Sequence, residues 1–269
     1  MSDLAIVIVS FNARADLVVC LTSLRDAPPA VSHEIVVVDN ASEDGSVEAA
    51  RAVPGVTVIP LDRNTGFSAA NNAGIRATHG ELVLLLNSDT IVPAGAIDAL
   101  VARLRRDPSI GVAGPRLVDR DGRPELSFGQ MLWIDVELRR KRLLDRIDRG
   151  VPRDLEWLRN ETSREHVVDW VSGACLLVRR RDAEAAGLLD ERFFLYTEDV
   201  DFCHAIRRLG RKVLFTPVAT VTHLRGRSRE SRPEASRQLY RRSHVAFYEK
   251  HHPRWAPLLR LYLRLRRQL

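Results

Sequence analysis

The first 115 residues alternate between short apolar runs and helical stretches, and this alternation constrains the fold more than anything else in the chain. Strands are expected at Leu4–Ser10, Glu34–Asp39, Val56–Leu61, Glu81–Leu86 and Ile110–Gly114. Helices are expected between them, at Ala13–Ala27, Ser46–Val53, Ser68–Thr78 and Ala94–Arg106. A run such as Ile35-Val36-Val37-Val38 has no polar face, as in a strand buried on both sides. Short connections with helices between strands predict an α/β fold, a mostly parallel sheet flanked by helices. Ligands of such sheets sit beyond the carboxyl ends of the strands. The polar residues just after each strand are therefore the candidates for function.

The rest of the chain is less regular. Residues 119–165 are charge-rich, with Trp133, Trp157 and an amphipathic stretch at 136–147, and read as a variable insert or lid over the sheet edge. Order returns at Val167–Val178, followed by a helix at Val200–Leu209 and short strands at Lys212–Phe215 and Ala219–Thr222 around Pro217. The net charge is +6, but residues 224–269 hold 13 basic and 3 acidic groups, which leaves 28 basic against 32 acidic before them. The basicity thus belongs to a helical C-terminal segment. Its last part, Trp255–Leu269, interleaves leucines with Arg260, Arg264, Arg266 and Arg267. That pattern suits either an anionic membrane surface or a helix packing its leucines on the core. The tail carries no base-reading motif, so no nucleic-acid partner is expected.

No apolar run approaches the roughly 20 residues of a spanning helix, and no basic leader precedes Leu4. Cys20, Cys175 and Cys203 lack metal-ligand spacing and sit in apolar contexts, as small buried hydrophobes do. The expectation is a cytoplasmic protein, with room for a peripheral seat on the inner face of the membrane.

Five groups of residues carry candidate chemistry. Asp39, Asn40 and Ser42 follow the second strand, where a carboxylate can accept hydrogen bonds from a base or ribose; the same residues also make good turns and caps. Asn64, Gly66 and Phe67 lead into a helix carrying Asn71 and Asn72, amides that oppose helix propensity. Asn87-Ser88-Asp89 ends a buried strand, where one carboxylate with substrate phosphates can hold Mg²⁺ or Mn²⁺, or simply close a turn. Glu198, Asp199 and Asp201 crowd a helix start, where they complement the dipole or raise one another's pKa toward that of a general base. His223 follows the last strand, as a structural residue or a further metal ligand. A dinucleotide-binding oxidoreductase would need a G-x-G-x-x-G turn after the first strand, where SFNARAD stands instead. The Gly-rich phosphate loop of a nucleotidyltransferase is equally absent.

In order, IVIVSFN, VVVDNASEDGS, NTGFSAANNAGI, LLLNSDT, WVSGACLLVRR, FFLYTEDVDFCHAIRRLG and THLRGRS resemble the inverting glycosyltransferases of family 2, closest to a bacterial rhamnosyltransferase-like branch. The resemblance spans about Leu4 to Ser228 and fits residues 119–165 poorly. It implies a GT-A fold, with a Rossmann-like nucleotide-sugar-binding half at 1–115, an acceptor-binding and catalytic half at 116–228, and the basic segment at 229–269. It places the nucleotide-sugar on Ser10, Asn12, Asp39, Asn40, Ser42, Asn64, Gly66, Phe67, Asn71, Asn87, Ser88 and Asp89. Trp170, Ser172 and Gly173 fall where the acceptor is recognised. Asp89 and His223 match the metal ligands for Mn²⁺ or Mg²⁺, although the metal motif here reads Asn-Ser-Asp and lacks its first acid. Glu198-Asp199 matches the catalytic pair, with Asp199 as the base. The implied activity is transfer of a sugar, best matched by L-rhamnose from dTDP-rhamnose, to a saccharide or lipid-linked acceptor in cell-surface polysaccharide synthesis. The alternatives are a UDP-sugar donor or, in another class, a non-catalytic nucleotide-sugar or nucleic-acid-binding protein.

Overall fold

A computed structural model describes residues 2–224 and 233–265. The elements run β1 (Leu4–Ser10), α1 (Arg14–Asp26), β2 (His33–Asp39), α2 (Ser46–Arg51), β3 (Val56–Pro60), α3 (Phe67–Arg76), β4 (Leu82–Asn87), β5 (Thr90–Ile91), α4 (Ala96–Arg106) and β6 (Ile110–Val118). They continue with β7 (Phe128–Gly129), α5 (Ile134–Asp148), α6 (Pro152–Glu161), β8 (His166–Val168), β9 (Trp170–Val171), β10 (Cys175–Arg179), α7 (Arg180–Ala185), α8 (Glu198–Arg208), β11 (Lys212–His223), α9 (Pro233–His251) and α10 (Ala256–Leu265).

A nine-stranded sheet of order β3-β2-β1-β4-β10-β6-β11-β5, with β8 also on β11, forms the centre. β1 to β4 are parallel neighbours, and β10 runs antiparallel between β4 and β6. The apolar runs explain the layering. In β1 every residue is buried, with Ile6 and Ile8 facing one cluster and Val7 and Val9 the other. Leu17, Leu21 and Leu24 of α1 and Leu100 and Leu104 of α4 cover the first face. Ile75 of α3, Phe202 and Ile206 of α8 and Phe247 of α9 cover the second. Both faces of the sheet are thus dry, which is why the strands need no polar alternation.

Strands and helices of the first half fall within a few residues of their sequence-based positions. Three features of the second half differ. β6 does not extend the β1–β4 set, because β10 from later in the chain intervenes. The two strands expected around Pro217 are one strand, β11, whose register with β6 slips between Thr216 and Thr220; Pro217 lacks the N–H a continuous ladder needs. The insert folds into α5, α6 and the β7 strand paired with β9. No residue of α5 is fully buried, so its apolar signal is faint.

All three cysteines are buried and free. Among the described residues, no helix is long and apolar enough to cross a membrane. Arg225 to Ser228 of the THLRGRS motif, and Arg266 and Arg267 of the tail, lie outside the described residues.

Candidate active site

The carboxyl ends of β1, β2 and β4 lie side by side, because Ser10 pairs with Asp39 and Val9 with Asn87. The turns beyond them are tied to one another by side chains. Ser42 donates its backbone N–H to Asp39 Oδ2 at 2.8 Å and accepts that of Asn12 on its hydroxyl at 2.9 Å. Asn12 in turn accepts Glu43 N–H at 2.8 Å. Asn40 donates its amide to Asn64 Oδ1 and accepts Thr65 N–H, both at 2.8 Å, while Asn64 also accepts Gly66 N–H at 3.0 Å. These amides are occupied in holding loops. Among the described residues, Asp39 Oδ1 and Ser10 Oγ are buried polar atoms without a hydrogen-bond partner at the same strand ends. Buried acceptors left open in this way are where a ligand's N–H is expected.

Gly66 and α3 join these turns to the segment before α8. Phe67 N–H donates to Phe194 O at 2.6 Å, and Gly66 has φ +89°, with a Cβ there standing 2.6 Å from that same carbonyl. Only glycine permits the close approach. Of the two helix amides, Asn71 bonds Phe67 O at 2.9 Å. Asn72 is a clamp on the segment before α8, donating to Leu189 O and Glu191 and accepting Leu189 N–H.

At β4 the chain passes Asn87, whose N–H donates to Ala174 O at 2.9 Å, and reaches Ser88 and Asp89. Gly173, next to Ala174, donates its N–H to Asp199 Oδ2 at 2.9 Å. Asp89 and Asp199, 110 positions apart by number, are therefore brought to one end of the sheet through the adjacent residues Gly173 and Ala174, one bonded to the Asp199 carboxylate and the other to the Asn87 backbone. Ser172 N–H donates to Ser127 O at 2.7 Å. Phe67 completes the junction: a Cβ on Gly173 would lie 3.4 Å from Asp199 Cβ and 3.7 Å from the Phe67 ring. Trp170 stands further back. Its ring is buried under Arg140, 4.7 Å from the guanidinium, and its indole N–H donates to Gln130 O.

Asp89 faces His223, whose Nε2 is 3.3 Å from Asp89 Oδ1 and whose Nδ1 is 3.3 Å from Glu125 Oε2. Burial works against a charged ring, but hydrogen bonds to the two carboxylates outweigh it and push the imidazole pKa up to about 9. Among the described residues no group of three or more His, Cys, Asp or Glu side chains is arranged to hold a metal. Asp89 and His223 still form a mixed oxygen–nitrogen pair that fits a cation completed by substrate phosphates, and Glu125 behind the ring is the outer partner that would fix its orientation.

The Glu198-Asp199 pair opens α8. Glu198 is buried, and its Oε2 has no hydrogen-bond partner among the described residues. Burial raises its carboxyl well above the usual range, and the Asp199 charge adds to that. Burial also raises Asp199, but the amides of Gly173 and Val200 and the charge of Arg140 pull it back. Of the two, Asp199 has two amide donors and a cation facing it, whereas Glu198 Oε2 has no hydrogen-bond partner among the described residues. Asp201 is engaged elsewhere: Lys250 Nζ reaches it at 2.8 Å and His251 Nε2 at 2.6 Å. The segment before α8 is strained, with Tyr196 at φ +72° and Thr197 at φ +66°. Neither is a residue that favours the left-handed region, and such strain concentrates at functional sites. Ser243 Oγ of α9 holds the turn from behind through Leu195 O at 2.7 Å.

Sequence reasoning missed Glu125, Arg140 and the Tyr196–Thr197 turn. Glu125 and Arg140 belong to the weakly patterned insert. Nothing in the sequence marks a threonine as left-handed.

The chain matches glycosyl transferase family 2 over residues 5–166. It is 33% identical over 245 residues to the N-acetylglucosaminyl-diphospho-decaprenol L-rhamnosyltransferase of Mycobacterium tuberculosis, covering 83% of this chain and 78% of that one. It is 26% identical over 247 residues to the low-salt glycan biosynthesis hexosyltransferase Agl10 of Haloferax volcanii, covering 89% and 73%. Among solved structures, the mannosyltransferase PcManGT of Pyrobaculum calidifontis in complex with GDP-Man and Mn²⁺ superposes with a TM-score of 0.64 at 18% identity, over 96% of this chain and 68% of that one. GalNAc-T7 with UDP, GalNAc and Mn²⁺ superposes at 0.61 and 20%, over 84% of this chain and 44% of that one. These structural likenesses establish the GT-A fold. Together with the sequence matches they make the chain a glycosyltransferase, a member of glycosyl transferase family 2.

Proposed function

We propose that the chain transfers L-rhamnose from dTDP-rhamnose, with inversion, to a hydroxyl of a lipid-linked saccharide acceptor in cell-surface polysaccharide synthesis. The observation that carries this reading is the junction of Asp89 and Asp199 at one end of the sheet, through Asn87–Ala174 and Gly173–Asp199. Residues 1–115 would hold the donor, and 116–228 the acceptor and the base. The open Asp39 Oδ1 and Ser10 Oγ suit the imide N–H of a pyrimidine base. The choice of sugar and acceptor rests on the rhamnosyltransferase relative, which names a lipid diphosphate acceptor.

Asp199 takes the proton of the acceptor hydroxyl as that oxygen attacks the anomeric carbon, and the bond to the diphosphate breaks on the opposite face. Burial disfavours the charged form of Glu198, which limits the negative charge beside Asp199. Ser172 and Gly173 line the acceptor side, and Gly173 N–H keeps the Asp199 carboxylate aimed. Asp89 and His223 would hold Mn²⁺ or Mg²⁺, which supplies positive charge to the departing diphosphate. An in-line displacement of this kind passes through the oxocarbenium-like state that glycosidases also use.

A thermal-shift panel of dTDP, UDP and GDP, each with and without Mn²⁺, tests the donor assignment, since stabilisation grows with saturation of the site. The expected order puts dTDP with Mn²⁺ first. UDP in first place would move the assignment to a UDP-sugar. No response to any nucleotide would remove the donor reading.

A further inference from the structure

α10 is apolar on two opposite faces. Ala256, Leu259 and Leu263 turn inward, where Ala256 and Leu263 are buried and Leu259 packs on the core. Leu258, Leu261 and Leu265 turn outward and are 56%, 55% and 78% exposed. A helix that merely packs on a domain shows one apolar stripe, and the other side is polar. Among the described residues, none buries this second stripe.

A second exposed apolar group begins α5. Trp133, Ile134 and Leu138 are each more than two-fifths exposed. The two patches meet at His252. The Trp133 ring stacks on that imidazole with centroids 4.0 Å apart. The His252 carbonyl accepts the N–H groups of Trp255 and Ala256 at the start of α10.

The described C-terminal helices are mainly basic. Arg254 and Arg264 are exposed, and residues 233–265 carry 7 basic against 2 acidic groups. The acids closest in sequence are paired locally: Asp135 with Arg139, Glu137 with His244 and the Tyr248 hydroxyl, Glu249 with Arg260. Exposed leucines, tryptophans and unopposed arginines together match an anionic bilayer surface, where aromatic and aliphatic side chains enter the headgroup boundary and arginines meet the phosphates. A protein partner of matching shape would not require the arginine excess.

We propose that α10 and the start of α5 form one two-part docking surface for an anionic phospholipid bilayer. Its position gives the docking a purpose that rests on the lipid-linked acceptor proposed above. Six residues beyond Ile134, about 9 Å along the helix, α5 carries Arg140, which reaches the Leu126 and Phe128 carbonyls and bears on Asp199. One helix thus runs from the lipid-facing end to the neighbourhood of the base.

Co-sedimentation of the full chain with vesicles tests this without donor or acceptor, so its outcome is separate from the transfer reaction. Phosphatidylcholine vesicles containing phosphatidylglycerol are expected to bind the protein, and more weakly at high salt; phosphatidylcholine alone is expected to bind poorly. Leu258→Glu/Leu261→Glu and Ile134→Glu/Leu138→Glu, changed separately, should each weaken binding at least about tenfold. These positions are exposed, so the thermal shift with nucleotide should stay unchanged in both, which reports an intact fold. Full binding by the α5 variant would leave a tail-only anchor and overturn the two-part surface. A wild-type chain that ignores vesicles overturns the proposal outright. If that chain is also a dimer made monomeric by Leu258→Glu/Leu261→Glu, the surface belongs to a second copy instead.

Discussion

The proposed donor side and the proposed catalytic side differ in where the supports of their polar groups come from. Around β1–β3, short polar side chains bond neighbouring turns at 2.8–3.0 Å, and Asn40, Asn64, Ser42 and Asn12 are all satisfied. Around α8, a buried carboxyl lacks a partner, two residues sit in the left-handed region and the supports come from α9 far along the chain. The proposed donor side presents two open buried acceptors, Asp39 Oδ1 and Ser10 Oγ. The catalytic side holds groups in states that folding disfavours. Both sides use the left-handed region, Asn12 and Ala41 at φ +49° and +65° on one and Tyr196 and Thr197 on the other, so what separates them is whether their supports come from neighbouring turns or from far along the chain.

The sharpest break in that comparison is at Asp199. Asp199→Asn is expected to lower kcat by about 100- to 10,000-fold, the range for a lost general base, while nucleotide binding in a thermal-shift titration stays intact. Unchanged kcat would return the base to an unassigned group. On the donor side, Asp39→Asn should weaken dTDP binding by about tenfold or more, as loss of a charged acceptor does, and leave kcat at saturating donor nearly intact. A kcat defect of equal size would show that the two sides are not separable.

Relief of strain should have a smaller effect with the opposite sign on stability. Thr197→Gly removes a β-branched residue from φ +66° and should stabilise by about 1 kcal/mol, raising Tm by roughly 2–4 °C. Lowered kcat together with raised Tm would be the signature of strain used for function. Unchanged Tm would mean that the turn stores nothing.

The smallest effect is on pH dependence. Glu198 has a folded-state pKa above its unfolded value, so its contribution to stability is fully present below the ordinary Glu range. That contribution is lost as pH rises through the raised value. Glu198→Gln keeps a neutral side chain at every pH, so its Tm should fall less than the wild type's as pH increases. Parallel Tm–pH curves for the two proteins would contradict a protonated Glu198.

What the sequence made legible follows the same division. β1 and β2 were readable because burial on both faces leaves an uninterrupted apolar run that needs no knowledge of distant partners. Asp39, Asn64 and Asp89 were readable because they stand directly after such runs. The pairing of Asn40 with Asn64 was not, since two amides 24 residues apart give no sign that they bond. Asp201 looked like a third candidate acid until α9 was seen to hold it. Glu125 was hidden in the insert, where exposed α5 and α6 blur the pattern. Pro217 looked like a break because a proline normally ends a ladder, whereas here the strand absorbs it as a register slip.

The hold of α9 on α8 also sets an order of events during synthesis. Lys250 and His251 follow Asp201 by 49 and 50 residues, which at translation rates of about 5–20 residues per second is roughly 3–10 s of further elongation. Once β11 has been made, at residue 223, a nascent chain owns every strand of its sheet, yet the acid two positions past Asp199 still waits for the cation it closes on. The sheet is therefore complete before the residues that brace the start of α8 have been made.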